Sequence, residues 1–122
     1  MVVLTSELKT REQLQDLINN NPKIIVIKLG AEWCGPCKKI EPLVKEFFNK
    51  SPSDCVCVSI DIDESMDIFA MYKRFRVLKG VPGLLCYTND DNSIYPHIVC
   101  NTGNTDQVQK FFNDCMSAYN SL

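Results

Sequence analysis

The feature that most constrains the fold is a run of apolar residues over 24–29, interrupted only by Lys28, that leads into a pair of cysteines. A strand that is apolar on both faces is typical of the interior of a parallel sheet, where helices cover both sides. Cys34 and Cys37 follow this run, and Pro42 lies in the helix expected after them, where it should introduce a kink. The sequence therefore predicts a buried strand followed by a helix, with two cysteines at their junction.

The other elements follow from the spacing of apolar side chains and from capping residues. Residues 2–5 are a candidate first strand, further strands are expected over 55–62, 84–88 and 94–99, and helices over 10–20, from the cysteines to about 49, 63–74 and 104–118. Pro96 cannot donate a ladder hydrogen bond, so its strand should lie at an edge. Alternating strands and helices favour parallel pairing, and the turn at 89–92 predicts one antiparallel pair. We therefore expect an α/β fold in one domain over 1–122, with a mixed central sheet of four to five strands flanked by helices on both faces.

The charge and hydropathy patterns exclude several functions. The net charge is -2, and nucleic-acid binding usually requires a basic face, so no nucleic-acid partner is expected. No apolar run approaches the roughly 18 residues of a membrane span, so no membrane association is expected. The first residues lack the basic and apolar regions of a secretory signal, and we expect the chain to act in the cytoplasm.

Seven cysteines are a high and odd number for a chain of 122 residues. An odd count without a secretory signal argues against a framework of structural disulfides. Because a free thiol packs as a small apolar side chain, we expect one functional pair and five reduced thiols. Cys57 and Cys86 lie in predicted central strands and should be buried. Cys100 and Cys115 lie nearer the ends of elements and are expected to be more accessible.

The spacing Cys-x-x-Cys at the start of a helix has a direct chemical consequence. Cys34 lies where the unpaired N–H groups and the positive end of the helix dipole stabilise a thiolate, which is the nucleophilic form of cysteine. Cys37, one turn further along, is close enough to attack a mixed disulfide formed by Cys34. Gly35 and Pro36 shape the turn, since a proline at a helix start loses no N–H that the helix needs.

Other interpretations of the cysteines are weaker. A structural zinc site needs four ligands, and the remaining cysteines and the single histidine, His97, lie in distant segments, so no metal is expected. A structural disulfide is disfavoured in a reducing compartment. Cys55 and Cys57 share one face of a strand at the limit of disulfide reach and are interpreted as buried thiols. His97 lies in a predicted edge strand and is interpreted as a surface residue.

The segment Ala-Glu-Trp-Cys-Gly-Pro-Cys-Lys at 31–38 resembles the active-site motif of the thioredoxin family. Pro42 matches the proline that kinks the following helix in that family, and Gly-Val-Pro at 80–82 resembles the segment that holds its cis-proline. The order of elements is similar over about residues 1–118. The resemblance implies a thioredoxin fold and a protein disulfide reductase, which is a dithiol–disulfide oxidoreductase that serves electron transport and cell redox homeostasis.

The same resemblance implies roles for individual residues. Cys34 would attack the substrate disulfide, and Cys37 would resolve the mixed disulfide. Trp33 would pack beside the pair and restrict access to it. Pro82 would be cis and face the two sulfurs, and the backbone of Val81 would pair with an extended substrate segment.

The resemblance also implies partners. These are disulfide-containing proteins as substrates and a thioredoxin reductase that uses NADPH, with the chain itself acting as a monomer. No cofactor is expected beyond a redox-active Cys34–Cys37 disulfide, and the chain contains no dinucleotide-binding fingerprint.

Several positions depart from the family pattern. Lys28 stands where the family usually has a buried aspartate, and the lysine that accompanies that aspartate falls at Ser59. Gly83 follows the proline in place of a frequent threonine, and the glycine expected before the last helix corresponds to Asn101 or Gly103. Lys28 is therefore a candidate modulator of the redox chemistry.

Two alternative functions belong to different classes. A thioredoxin fold can act as a binding subunit with little or no catalytic role, which the intact cysteine pair argues against and Lys28 and Ser59 keep open. An oxidase or isomerase is disfavoured because no secretory signal is evident. Reduction of insulin and the reduction potential of the pair distinguish these functions.

Overall fold

The structure, a computed structural model, describes residues 2–3 and 8–122, the first two through their backbone alone. It contains the strands β1 Val2–Val3, β2 Ile24–Gly30, β3 Cys55–Asp61, β4 Gly83–Thr88 and β5 Ile98–Cys100, and the helices α1 Arg11–Asn19, α2 Gly35–Lys50, α3 Met66–Arg74 and α4 Thr105–Ser121. The first predicted strand is confirmed at 2–3, and its residues 4–5 lie outside the described residues. None of the helices in this part of the chain combines the length and hydrophobicity that a membrane span requires.

The sheet has the strand order β1-β3-β2-β4-β5. The first three strands are parallel, β4 runs antiparallel to β2, and β5 runs antiparallel to β4. The mixed α/β sheet and the antiparallel pair predicted at the turn over 89–92 are thus confirmed, whereas the parallel pairing expected between β4 and its other neighbour is wrong, because β4 is also antiparallel to β2. The segment between α3 and β4 returns the chain to the end of the sheet where β2 finishes, so Gly83 pairs with Leu29 and β4 starts there in the opposite direction.

The edge strand is shorter than the predicted 94–99. Pro96 has no N–H to donate, and Tyr95 is held in a turn by its N–H, which donates to Ser93 Oγ over 3.1 Å. The pairing with β4 begins only after the proline, where the His97 N–H donates to the Cys86 carbonyl over 2.8 Å. The predicted edge position of this strand is confirmed.

The core lies on both faces of the sheet. On one face, alternate side chains of β2 and β3, such as Ile27 and Val58, pack with residues of α1 and α3. On the other face, their neighbours, such as Val26 and Cys57, pack with residues of α2 and α4. The side chains of β3 therefore alternate between the two faces of the sheet, and β2 is buried between two layers of helices.

The helix starts follow their capping residues. Thr10 forms a capping box with Gln13, and Asn104 Oδ1 accepts the N–H of Gln107 over 3.0 Å. The start predicted at 63 for α3 is wrong, because the chain first makes a turn in which the N–H of Ser65 donates to the Asp61 carbonyl over 3.0 Å. The helix begins only after that turn.

A pair of buried tyrosines ties α3 to β4. The hydroxyl oxygens of Tyr72 and Tyr87 are 2.6 Å apart, and the Tyr87 hydroxyl donates to the Ile94 carbonyl over 2.7 Å. Since Tyr87 uses its proton on Ile94, the Tyr72 hydroxyl must donate to Tyr87. Burial raises the pKa of both phenols, so both remain neutral donors.

This hydrogen-bond chain predicts an asymmetry between two substitutions. Tyr87→Phe leaves the buried Tyr72 hydroxyl without its acceptor and the Ile94 carbonyl without its donor, so the free energy of unfolding should fall by about 1–3 kcal/mol. Tyr72→Phe leaves no buried donor without an acceptor and should lower the free energy of unfolding by about 1 kcal/mol or less. Urea denaturation measures both, with the exposed Tyr95→Phe as control. Equal losses for the two buried variants would contradict the assigned direction of donation.

Candidate active site

The cysteine pair lies at the junction of β2 and α2. Cys34 is the N-cap of α2, and its Sγ accepts the backbone N–H of Cys37 over 3.1 Å. Cys34 and Cys37 form a disulfide with their Cα atoms 5.3 Å apart. Pro36 occupies the first turn, where no N–H is required, and both it and Gly35 are exposed. The structure therefore brings together the four residues of the predicted Cys-Gly-Pro-Cys site.

This position favours a thiolate at Cys34 when the disulfide is reduced. The sulfur already accepts a backbone N–H and lies at the positive end of a helix of 16 residues. Cys34 is 4% exposed and Cys37 is 3% exposed, so both sulfurs are held in a largely desolvated setting. A negative charge there is stabilised by fixed dipoles more than by bulk water.

The bond between Val81 and Pro82 is cis, as the resemblance implied. Gly83 pairs with Leu29, so the buried Pro82 lies beside the end of β2, close to the start of the cysteine segment. Val81 is half-buried and precedes the strand. The structure thus brings the Val-Pro segment to the end of the sheet that carries the cysteine pair.

Trp33 is 67% exposed immediately before the pair. Its indole Nε1 donates to Asp63 Oδ2 over 2.9 Å, and the N–H of Asp63 donates to Asp61 Oδ1 over 2.9 Å. The carboxylate that orients the indole comes from a turn 30 residues away, and sequence reasoning missed it because an acidic residue after a strand carries no distinctive signal.

Lys28 and Ser59 are register partners on β2 and β3, so the two departures from the family pattern are neighbours. A Cβ added at Gly30 would lie 3.3 Å from Lys28 Nζ and 3.4 Å from Cys37 Sγ, so amine and sulfur approach the same point. Both side chains and Ser59 border a cavity of about 510 Å³. Lys28 is half-buried and makes no ion pair with any residue in the described ranges.

Contacts of Gly103 and Asn101 show how each of these two candidates for the family's glycine before the last helix is used. A Cβ at Gly103 would lie 2.7 Å from Pro36 Cβ, so a glycine at 103 permits the close approach of α4 to the cysteine segment. Asn101 reaches the other side of the site, where its Nδ2 donates to the Pro82 carbonyl over 2.9 Å. A Cβ at Gly83 would lie 2.8 Å from Leu78, so a threonine there would displace that leucine.

The five other cysteines form no disulfide within the described residues, and all five are buried. Burial of Cys57 and Cys86 is confirmed, whereas the expected accessibility of Cys115 is wrong, because it lies on the inward face of α4 and is 0% exposed. Cys100 is also buried, at 9% exposed. Its place on an edge strand therefore does not make it accessible.

The sulfurs of Cys55 and Cys57 are 3.9 Å apart, which is a hydrogen-bond contact between two thiols and not a disulfide bond. The hydrogen bond between the two thiols raises the pKa of Cys55 and lowers that of Cys57. Ser51 Oγ also lies within hydrogen-bond distance of Cys57 Sγ, at 3.3 Å.

Within residues 8–122, no group of three or more potential metal ligands is clustered. His97 is engaged by Thr88, whose N–H donates to Nδ1 over 3.1 Å.

The strand order and the junction of the cysteine pair define the class, which is proteins of thioredoxin fold that carry a dithiol–disulfide pair at a helix N-terminus. The family model described as Thioredoxin matches residues 5–114. The chain belongs to the thioredoxin family, a family of thiol–disulfide oxidoreductases, as its sequence predicted.

Known relatives agree with this assignment. Thioredoxin H7 of Arabidopsis thaliana is 39% identical over 74 residues, covering 58% of this chain and 57% of that protein. Thioredoxin 1 of Chlorobaculum tepidum is 33% identical over 76 residues, covering 62% of this chain and 71% of that protein. The alignment thus spans little more than half the length of the first relative. The solved thioredoxin of Fasciola hepatica shares the fold, with a TM-score of 0.70 and 23% identity over 88% of this chain and 95% of that one.

Stabilisation of the Cys34 thiolate at the start of α2 predicts selective labelling, because Cys34 and the five other cysteines are all buried. In the reduced, folded protein, maleimide should modify Cys34 first, while Cys55, Cys57, Cys86, Cys100 and Cys115 should react only after denaturation. Peptide mass spectrometry of timed reactions measures each site, and a variant with all five replaced by serine or alanine should keep its activity. Labelling of Cys115 in the folded protein as fast as Cys34 would contradict the packing of α4.

Proposed function

We propose that this chain is a protein disulfide reductase that works through Cys34 and Cys37. The observation that carries the proposal is the disulfide at the N-terminus of α2, in which Cys34 Sγ accepts the N–H of Cys37. A sulfur in this position forms a stabilised thiolate on reduction, and a second sulfur lies within bonding reach of it. The pair can therefore exchange two electrons with another disulfide.

The reaction proceeds in two exchanges. The Cys34 thiolate attacks one sulfur of the substrate disulfide, a mixed disulfide forms, and the other substrate sulfur leaves as a thiolate. The Cys37 thiolate then attacks Cys34 Sγ, which releases the second substrate thiolate and forms the Cys34–Cys37 disulfide. The substrate gains two electrons and the pair loses two.

The residues around the cysteine pair bind the substrate and shape the access to the sulfurs. In this mechanism the backbone of Val81 pairs with an extended substrate segment next to the scissile disulfide, and Pro82 faces the sulfurs. Trp33 restricts access from the side of α3, where its hydrogen bond to Asp63 fixes the indole. Gly35 and Pro36 keep the first turn of α2 open to the substrate.

The family assignment supports the partners of this reaction. The substrates are disulfide-containing proteins, and the electrons come from a thioredoxin reductase that uses NADPH. The chain acts as a single-domain monomer in the cytoplasm, needs no cofactor beyond its own disulfide, and contributes to electron transport and cell redox homeostasis. Its net charge of -2 gives no attraction to nucleic acid.

A binding subunit with little catalytic role is the second candidate, and the lysine beside Cys37 is the observation that favours it. The insulin-reduction assay with NADPH and reductase separates the two functions. Turnover supports the reductase, and binding of a partner protein without turnover supports the subunit.

Substitution of the two cysteines should have different consequences. Cys34→Ser should reduce insulin turnover to background, because no nucleophile remains. Cys37→Ser should also stop turnover but trap mixed disulfides, because the intermediate is not resolved. Non-reducing electrophoresis with mass spectrometry detects the trapped species. Accumulation in Cys34→Ser in place of Cys37→Ser would reverse the assigned roles.

Lys28 should make the chain a weaker reductant than a relative with an aspartate at this position. An ammonium group near Cys37 Sγ stabilises thiolates and with them the reduced form, and it cannot accept the proton of the resolving thiol. Lys28→Asp should therefore speed release of the mixed disulfide at pH 7 and lower the reduction potential by about 30 mV, which is a tenfold change in the exchange equilibrium.

Glutathione redox titration and stopped-flow measurement of mixed-disulfide release test this effect of Lys28. The control is Lys73→Asp, which makes the same change of charge on the exposed face of α3. Unchanged potential and release rate in Lys28→Asp would show that the amine takes no part in the chemistry.

A further inference from the structure

We propose that Asn101 is a positioning residue for substrate recognition, whose side-chain amide holds residues 79–82 so that the backbone of Val81 stays available to a substrate strand. This inference rests on the proposed disulfide reductase function and deepens it. It assigns a role to a residue that stands at or near a glycine position in the family pattern.

The amide of Asn101 makes three hydrogen bonds to one segment. Its Oδ1 accepts the backbone N–H of Lys79 over 2.7 Å, and its Nδ2 donates to the carbonyls of Gly80 and Pro82, each over 2.9 Å. Both amide protons and the carbonyl oxygen are thus used on backbone groups within four residues. An amide in this arrangement fixes the path of the segment and not the position of one atom.

Asn101 is itself firmly anchored. It directly follows β5, whose last residue, Cys100, pairs with Leu84 of β4. The loop that Asn101 holds leads into the start of the same strand at Gly83. The Asn101 side chain therefore links the end of the edge strand β5 to the segment before β4 by hydrogen bonds.

These hydrogen bonds are the only ones that residues 79–82 make within the described part of the chain. The neighbouring anchor lies earlier, where the N–H groups of Val77 and Leu78 donate to the Tyr72 carbonyl. Without Asn101, the segment would be tied only by packing and by its connection to β4. Its backbone order therefore depends on this amide.

The pattern of the contacts leaves one residue free. Asn101 binds the backbone of the residues on both sides of Val81, and the N–H and carbonyl of Val81 have no hydrogen-bond partner in residues 2–3 and 8–122. Val81 is half-buried, so part of this residue is exposed to solvent. A free backbone donor and acceptor on a residue held in place next to a strand are what strand addition by a peptide requires.

The consequence is a separation between binding and chemistry. A segment held in place before binding loses less conformational entropy when the substrate strand pairs with it, so its fixation lowers the KM for protein substrates. The cysteine pair makes no hydrogen bond with Asn101, and a small disulfide needs no strand pairing. Loss of the amide should therefore weaken the reduction of proteins while leaving the reduction of a small disulfide intact.

The decisive variant is Asn101→Asp, which keeps the acceptor for Lys79 but turns a carboxylate oxygen toward the carbonyls of Gly80 and Pro82. The KM for insulin should rise about fivefold to tenfold, with kcat and the rate with dithiodipyridine within about twofold of the parent. Asn104→Asp is the matched control, since it makes the same chemical change three residues away and aspartate caps a helix as well as asparagine.

Asn101→Ala provides the same test without a new charge, and because it also removes the acceptor for the Lys79 N–H, amide hydrogen exchange at Lys79 should lose protection in this variant. Parent-like KM values for insulin in both Asn101 variants would overturn this inference while leaving the proposed function intact. Equal losses with insulin and dithiodipyridine would also overturn it, because they would indicate damage to the cysteine pair. Failure of the unmodified chain to reduce either substrate would overturn the proposed function and this inference with it.

Discussion

The burial of β2 is the constraint on which the rest of the structure depends. This strand pairs with β3 over all of its residues and with β4 over six of them, and helices cover both of its faces. Its backbone groups are satisfied on both edges, so the position of its last residue, Gly30, is determined by the whole sheet. The cysteine segment starts from that fixed point, and the first turn of α2 takes its direction from the helix packing on the sheet.

The sequence predicts the elements that depend on local patterns. The apolar run of β2, the alternation of β3 and the capping box at Thr10 each reflect a local rule and agree with the structure. Two of the errors arise where contacts between distant segments determine the structure. The short edge strand depends on how Pro96 interrupts its pairing with β4, and the direction of β4 depends on the path of the loop before it. No spacing rule encodes either of these.

The same division holds within the site. Cys34 and Cys37 are evident because their spacing and their helix are contiguous in the chain. Asp63 and Asn101 are not, since one reaches Trp33 across 30 residues and the other reaches Pro82 across 19 residues. Lys28 was evident only as a departure from a family pattern, and its closeness to Cys37 Sγ required the fold.

The folded core also protects five buried thiols from thiol–disulfide exchange. Each is sealed by packing against the helices or the sheet and none forms a disulfide, so thiol exchange is confined to one pair by tertiary structure alone. Unfolding would release five additional nucleophiles into contact with Cys34 and Cys37, and any oxidation at that stage would scramble the pairing. The selectivity of this chain as an electron carrier is thus inseparable from its conformational stability, and heating in air should inactivate it irreversibly where heating under a reductant does not.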